Sequence, residues 1–198
     1  MDHSATADSR KKREKVLLHG ISITNFWATP YTVFDALDRE FDFDLDVAAT
    51  QETAKCPQWL GLDHPEVGRR DAFRIPWPGK RGFLNPPYSP DGGGVFKWVA
   101  CAYSEAQDME CVVMLLPATP DTEWAEFLWE QGAELRFTPR IRFIDPEGQR
   151  TNPMGGSLVA IIRPDQVKRS MKHPQLLSDA EPIIFGYAPW KGEDPAHE

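Results

Sequence analysis

The chain has 198 residues, 41 % of them hydrophobic, enough for one sizeable core, and its apolar runs are too short to span a bilayer. A net charge of −8 excludes a global attraction to nucleic acid, so any contact with phosphates has to come from a local patch. Three widely spaced cysteines (Cys56, Cys101, Cys111) without C-x-x-C or H-x-E spacing argue against a disulfide framework or a zinc site; with no leader pattern, the expectation is a cytoplasmic protein without metal.

Residues 1–22, with the run RKKREK, read as a basic arm. Order begins near Trp27. In ATPYTVFDALDRE, Thr29 is expected to cap a helix with Pro30 at its first position, and Val33, Phe34 and Leu37 share one face. In FDFDLDVAAT, Phe41, Phe43, Leu45 and Val47 alternate with Asp42, Asp44 and Asp46, which predicts a strand with an acidic face ending at Asp46. Prolines at 57, 65, 76 and 78 break any long element between Gln51 and Gly79.

GFL at 82–84 predicts a short buried strand, VFKWVACAYSEAQ a helix, and CVVMLLP a strand covered on both faces. A further helix is expected from Thr119-Pro120 to a stop at Gly132. Strands follow in ELRFTPRIRFI and GSLVAIIRP, joined by the turn-rich DPEGQRTNPMGG. This alternation implies an α/β fold with a mainly parallel sheet and helices on both faces. Ligands in such sheets collect at the carboxyl ends of the strands, where Asp46 and Asn85 both fall.

The stretch after GFL is Asn85-Pro86-Pro87-Tyr88. Proline cannot continue a central strand, and Pro87 bars Pro86 from the helical region, so the bend is stiff. The Asn85 side-chain oxygen and the Pro86 carbonyl then form two fixed acceptors that suit a planar NH₂ group, while Tyr88 offers a flat face for its ring. Acceptors out of the ring plane favour a more tetrahedral nitrogen and aim its lone pair, which is catalysis by orientation and electrostatics. The following SPDGGG reads as a glycine-hinged loop that could close over a bound base.

The ordered set Thr29-Pro30, VFDALDREFDFDLDVAAT, DAF at 71–73 with Trp77, FLNPPYS, WVACAYSEA and VVMLLPATPDTEW resembles the phage-type DNA N6-adenine methyltransferases, from about Trp27 to about Ile162. The resemblance implies a Rossmann-like methyltransferase domain over 23–165, followed by an extension over 166–198. It also implies S-adenosylmethionine as methyl donor and DNA as partner, acting in the host cell of a phage or prophage.

Under it, Asn85, Pro86, Pro87 and Tyr88 are the catalytic bend that holds a flipped adenine. Thr29, Pro30, Asp46 and Ala48 line the methionine or ribose end of the cofactor, with Asn85 beside them. Asp71, Ala72 and Phe73 hold its adenine. The chain departs from broader methyltransferases in having DVAAT where they carry a glycine-rich turn. With no separate target-reading domain, DNA contact is expected from loops: Arg140 and Arg142 from the basic last third, and Gln149, Arg150 and Asn152 as readers of base edges. That last third also contains Arg136 and Arg163. Two further readings stand beside this one: methylation of cytosine N4 or a glutamine amide, and a nucleic-acid-binding protein whose site has lapsed.

Overall fold

In the computed structural model, residues 27–150 and 155–165 are described; the basic arm, the extension and Asn152 lie outside them. The elements run α1 (Tyr31–Phe41), β1 (Leu45–Asp46), β2 (Gln58–Trp59), β3 (Arg81–Leu84), α2 (Gly94–Glu105), β4 (Cys111–Pro117), α3 (Glu123–Glu130), β5 (Glu134–Phe137) and β6 (Ser157–Ile162). One six-stranded sheet has the order β2-β1-β3-β4-β6-β5. The pairs β1·β2, β1·β3 and β3·β4 are parallel, and β6 runs antiparallel to both β4 and β5. The sheet is therefore mostly parallel with an antiparallel hairpin at one edge, within an α/β fold as the alternation predicts.

Side-chain alternation along β4 sorts the core into two layers. Val113 and Leu115 face α1 and meet Phe34, Leu37, Phe41, Phe43 and Phe83. On the other face Val112, Met114 and Leu116 meet Trp98, Val99 and Ala102 of α2 and Trp124 and Leu128 of α3. Helices thus cover both faces, and the central strand β4 is buried along nearly its whole length.

Four local expectations are corrected. Thr29 does not cap α1, and Pro30 precedes the helix rather than opening it. Ala28 is held extended by bridging to Ile144, so the chain stays extended through Pro30, whose carbonyl accepts the Val33 and Phe34 N–H groups. Helix α3 starts not at Thr119-Pro120 but after Thr122, whose hydroxyl donates to the Thr119 carbonyl at 2.8 Å and stabilises the intervening turn.

The strand predicted over 134–144 stops at Phe137, because Pro139 has no N–H for the ladder. Beyond it Ile141 and Phe143 are still buried against the α1 layer while Arg140 and Arg142 point outward, so period-two patterning persists without pairing. The strand with an acidic face is also revised. Helix α1 runs through to Phe41, the chain reverses at Asp42 in the left-handed region, and β1 keeps only two residues. Phe43 belongs to the α1 layer and Leu45 and Val47 to the other, so Asp46 turns inward on the α1 side.

Candidate functional site

Position in the sheet brings Asp46 and Asn85 together. Asp46 is the last residue of β1 and is paired in register with Phe83 of β3, two residues before Asn85. With side chains alternating along a strand, Phe83 and Asn85 look to the same face as Asp46. There a small recess opens at the carboxyl ends of the parallel strands. The expected residues Thr29, Asp46, Ala48 and Asn85 all line it. Four residues that sequence reasoning passed over, Trp27, Thr53, Lys55 and Phe83, complete its wall with Ala28.

Asp46 is 3 % exposed. One carboxylate oxygen accepts the Lys55 backbone N–H at 3.0 Å, and the nearby Ala48 N–H also favours the charged form. Burial outweighs those two donors and the Lys55 charge, pushing its pKa up to about 6. The half-buried Lys55 places its ammonium 3.5 Å over the Tyr31 ring rather than on the carboxylate, and burial lowers its pKa. The recess is therefore lined by an acid and a base that do not pair directly with each other, with Asp35 a second acid that favours the Lys55 charge.

Asn85 has its amide orientation set from both ends. Its NH₂ donates to the Trp27 carbonyl at 3.2 Å, which turns the side-chain oxygen away from that wall. The Tyr88 hydroxyl, with a single proton, donates to the Leu115 carbonyl at 3.0 Å and lies 3.3 Å from the Asn85 oxygen. Burial of that hydroxyl raises the phenol pKa, so it stays a donor, while the residue as a whole is 37 % exposed. Pro86 is buried, Pro87 partly so, and both bonds are trans; among the described residues no backbone donor is paired with the Pro86 carbonyl.

The glycine-rich loop after Tyr88 makes bonds of its own. It forms a 3-10 turn, Pro90–Gly92, and the Trp98 indole donates to the Gly92 carbonyl at 2.8 Å. Gly93 has φ 99°, and a side chain there would meet the Phe73 ring at 3.3 Å, so this tight turn requires glycine.

Asp71, Ala72 and Phe73 lie outside the lining of the recess. Asp71 accepts the Phe73 N–H at 3.0 Å and pairs with Arg74 at 3.0 Å. Ala72 is buried and its carbonyl accepts the Trp77 indole N–H at 2.9 Å. Phe73 packs on Trp98 with ring centroids 4.2 Å apart.

Of the expected DNA contacts, Arg140, Arg142, Gln149 and Arg150 are all exposed. Their segment is tied to the recess wall by reciprocal backbone bonds between Ala28 and Ile144 (2.8 and 3.0 Å), and Ile144 bridges in turn to Arg150. Asp145 closes the intervening turn by accepting the Glu147 and Gln149 N–H groups. Arg136 and Arg163 are corrected out of the basic patch: Arg136 is bidentate on Glu40 and also pairs with Glu134, which binds Arg163 as well.

Cys56, Cys101 and Cys111 are free thiols, and His64 uses its Nδ1 to accept the Glu66 N–H. No three His, Cys, Asp or Glu side chains cluster as metal ligands among the described residues, and none of the described helices is long and apolar enough to cross a membrane.

A family model described as DNA N-6-adenine-methyltransferase (Dam) matches residues 21–179, which spans the recess, the NPPY bend and the Ile144–Arg150 turn. No curated protein matches the chain.

Proposed function

This chain belongs to the DNA N-6-adenine-methyltransferase (Dam) family, a family of enzymes that methylate adenine N6 in DNA, and on that footing we propose that its NPPY bend receives an adenine turned out of the helix stack. The observation that supports this reading best is the Asn85 amide, which opens on the recess facing Asp46 and is held in one orientation by the Trp27 carbonyl. Family membership implies S-adenosylmethionine as methyl donor and DNA as substrate. The residues fit that donor: a carboxylate, an ammonium and threonines suit its charged amino-acid end, and Phe83 supplies an apolar wall. The recess is small against a whole ligand site. We therefore assign to it only the methionine and ribose end, with Thr29, Asp46 and Ala48 in its lining and Pro30 next in the chain beyond it, and assign the cofactor's adenine to Asp71, Ala72 and Phe73.

When bound, S-adenosylmethionine supplies a methyl group on a positively charged sulfur. The chain's own part is to position the acceptor. The Asn85 oxygen and the Pro86 carbonyl accept the two hydrogens of the exocyclic amine, drawing its nitrogen toward a tetrahedral shape with the lone pair directed outward. Pro87 keeps the bend rigid, and the Tyr88 ring stacks on the base. After transfer the surplus proton leaves to solvent, since no strong base adjoins Asn85. Arg140, Arg142 and Arg150 hold phosphates and Gln149 and Asn152 read base edges, acting from loops around a catalytic unit over 23–165.

The test is incubation with DNA and labelled S-adenosylmethionine, followed by mass spectrometry of the nucleosides. N6-methyladenine is expected; N4-methylcytosine or no product would refute the substrate. Replacing the target adenine by 2-aminopurine tests extrusion, with a rise in its fluorescence on binding expected.

A further inference from the structure

We propose that Lys55 is the residue that selects the carboxylate of the cofactor's amino-acid end, so that Asp46 and Lys55 together recognise a zwitterion. The inference rests on the assignment of the recess to that end of S-adenosylmethionine. An α-amino acid presents an ammonium and a carboxylate on one carbon, and a complementary site needs one fixed charge of each sign a few ångströms apart.

The recess is lined by one residue of each sign. Asp46 is buried at the end of β1 and anchored through the Lys55 backbone N–H, so its charge is held in place. Lys55 lines the same recess and is nine residues on in the chain, yet its ammonium is drawn aside over the face of Tyr31, 3.5 Å from the ring centre.

Two opposite charges that share a recess without closing on each other leave each free for a ligand. Direct closure would neutralise the site; the Tyr31 ring draws the ammonium to its face instead. Tyr31 is itself 60 % exposed, so the ring serves this purpose without being part of the core. Burial lowers the Lys55 pKa and raises that of Asp46, which marks both charges as costly to desolvate there and as better satisfied by a partner of opposite sign.

The probes are S-adenosylmethionine and its decarboxylated form, which keeps the sulfonium and the amine but lacks the carboxylate. Both are titrated calorimetrically into the full chain and into Lys55→Met and Lys55→Arg. The unaltered protein should favour S-adenosylmethionine by roughly 10- to 100-fold, the range of a hydrogen bond between charged groups. In Lys55→Met the preference should disappear, through weaker binding of S-adenosylmethionine with the decarboxylated form unchanged; Lys55→Arg should restore most of it.

Equal weakening of both ligands, or a preference unaltered in Lys55→Met, overturns the proposal. So does an unchanged cofactor affinity together with a DNA-binding salt slope lowered by about one, which would assign Lys55 to a phosphate. Should the unaltered protein bind neither probe, the cofactor assignment of the recess fails and this inference with it, whereas tight binding of both probes alike leaves that assignment standing and refutes Lys55 alone.

Discussion

Asp44 and Asp46 are the same side chain two residues apart, and they serve opposite ends of one strand. Asp44, at the amino end of β1, accepts the backbone N–H of Lys80 through both oxygens at 3.0 Å and that of Arg81 at 2.8 Å. It pins the turn into β3, where Gly79 lets the backbone pass so close that a side chain would lie 2.5 Å from Leu45. Asp46, at the carboxyl end, accepts a single backbone N–H, that of Lys55, and has a recess beside it and a raised pKa. Residue type therefore decides little here. What separates a structural acid from a functional one is whether the local backbone saturates it, and whether a cavity remains.

The sharpest way to test that contrast is at the partner of Asp46 across the recess. Asn85→Ala removes the amide oxygen that is proposed to orient the amine, together with the amide's contacts to the Trp27 carbonyl and the Tyr88 hydroxyl. Turnover should fall by roughly 10³-fold or more, the scale of losing one oriented acceptor group and the geometry it sets. Calorimetric affinity for S-adenosylmethionine should remain close to that of the parent. Turnover within tenfold of the parent would take the chemistry away from this bend.

Asp44→Ala tests the opposite end. Two backbone N–H groups lose a charged acceptor in a partly buried turn, at a cost of roughly 2–3 kcal/mol in urea unfolding. The affinity of the folded fraction for the cofactor should not move. A lower affinity at a temperature where the variant is fully folded would mean that the two acids form one functional unit, and the contrast between them would fail.

Much of this was legible in the sequence where a signal was local and repeated. The continuous apolar run CVVMLLP predicts the buried strand β4, and Trp98, Val99 and Ala102 predict the buried face of α2. The NPPY bend is read from proline's missing N–H. Other features depend on contacts between distant segments. The alternation Phe41 to Val47 predicts one face but is divided between a helix end, a reversal at Asp42 and a two-residue strand, because helix and strand share the same apolar residues. Lys55 has no motif of its own, and its place in the recess follows from the Asp46 carboxylate capturing its backbone N–H. Arg136 and Arg163 look like a basic patch until the fold brings Glu40 and Glu134 to them.

Asp46→Asn should separate stability from function. The Asp46 pKa of about 6 in the folded chain stands above its ordinary 3.8, so the folded state holds the proton more tightly than the unfolded one. That preference stabilises the fold fully below pH 4 and is lost as pH rises through 6, which leaves a desolvated carboxylate at pH 8 costing at most about 3 kcal/mol. The asparagine variant escapes that cost, less what it loses at the Lys55 and Ala48 N–H groups. It should be more stable than the parent by roughly 1–2 kcal/mol at pH 8, and the advantage should vanish near pH 4. Cofactor affinity should drop at every pH, and in the parent it should weaken as pH falls through about 6, where Asp46 gains its proton. An asparagine variant less stable than the parent at pH 8 would place Asp46 with Asp44 as a structural acid.

The smallest effect is expected at Tyr88, where ring and hydroxyl can be examined separately. The hydroxyl donates to the Leu115 carbonyl and lies 3.3 Å from the Asn85 oxygen, so it steadies that oxygen while competing for it. Tyr88→Phe keeps the stacking face and removes the donor. Stability should fall by about 1 kcal/mol, and turnover by only about three- to tenfold, because the Trp27 carbonyl still orients the amide. Tyr88→Ala, which also removes the stacking face, should weaken binding of a flipped base further, by roughly 1–3 kcal/mol, with the cofactor affinity retained. Were Tyr88→Phe as inactive as Asn85→Ala, the phenol rather than the amide would be the group that governs the amine, and the recess would owe its chemistry to a donor instead of an acceptor.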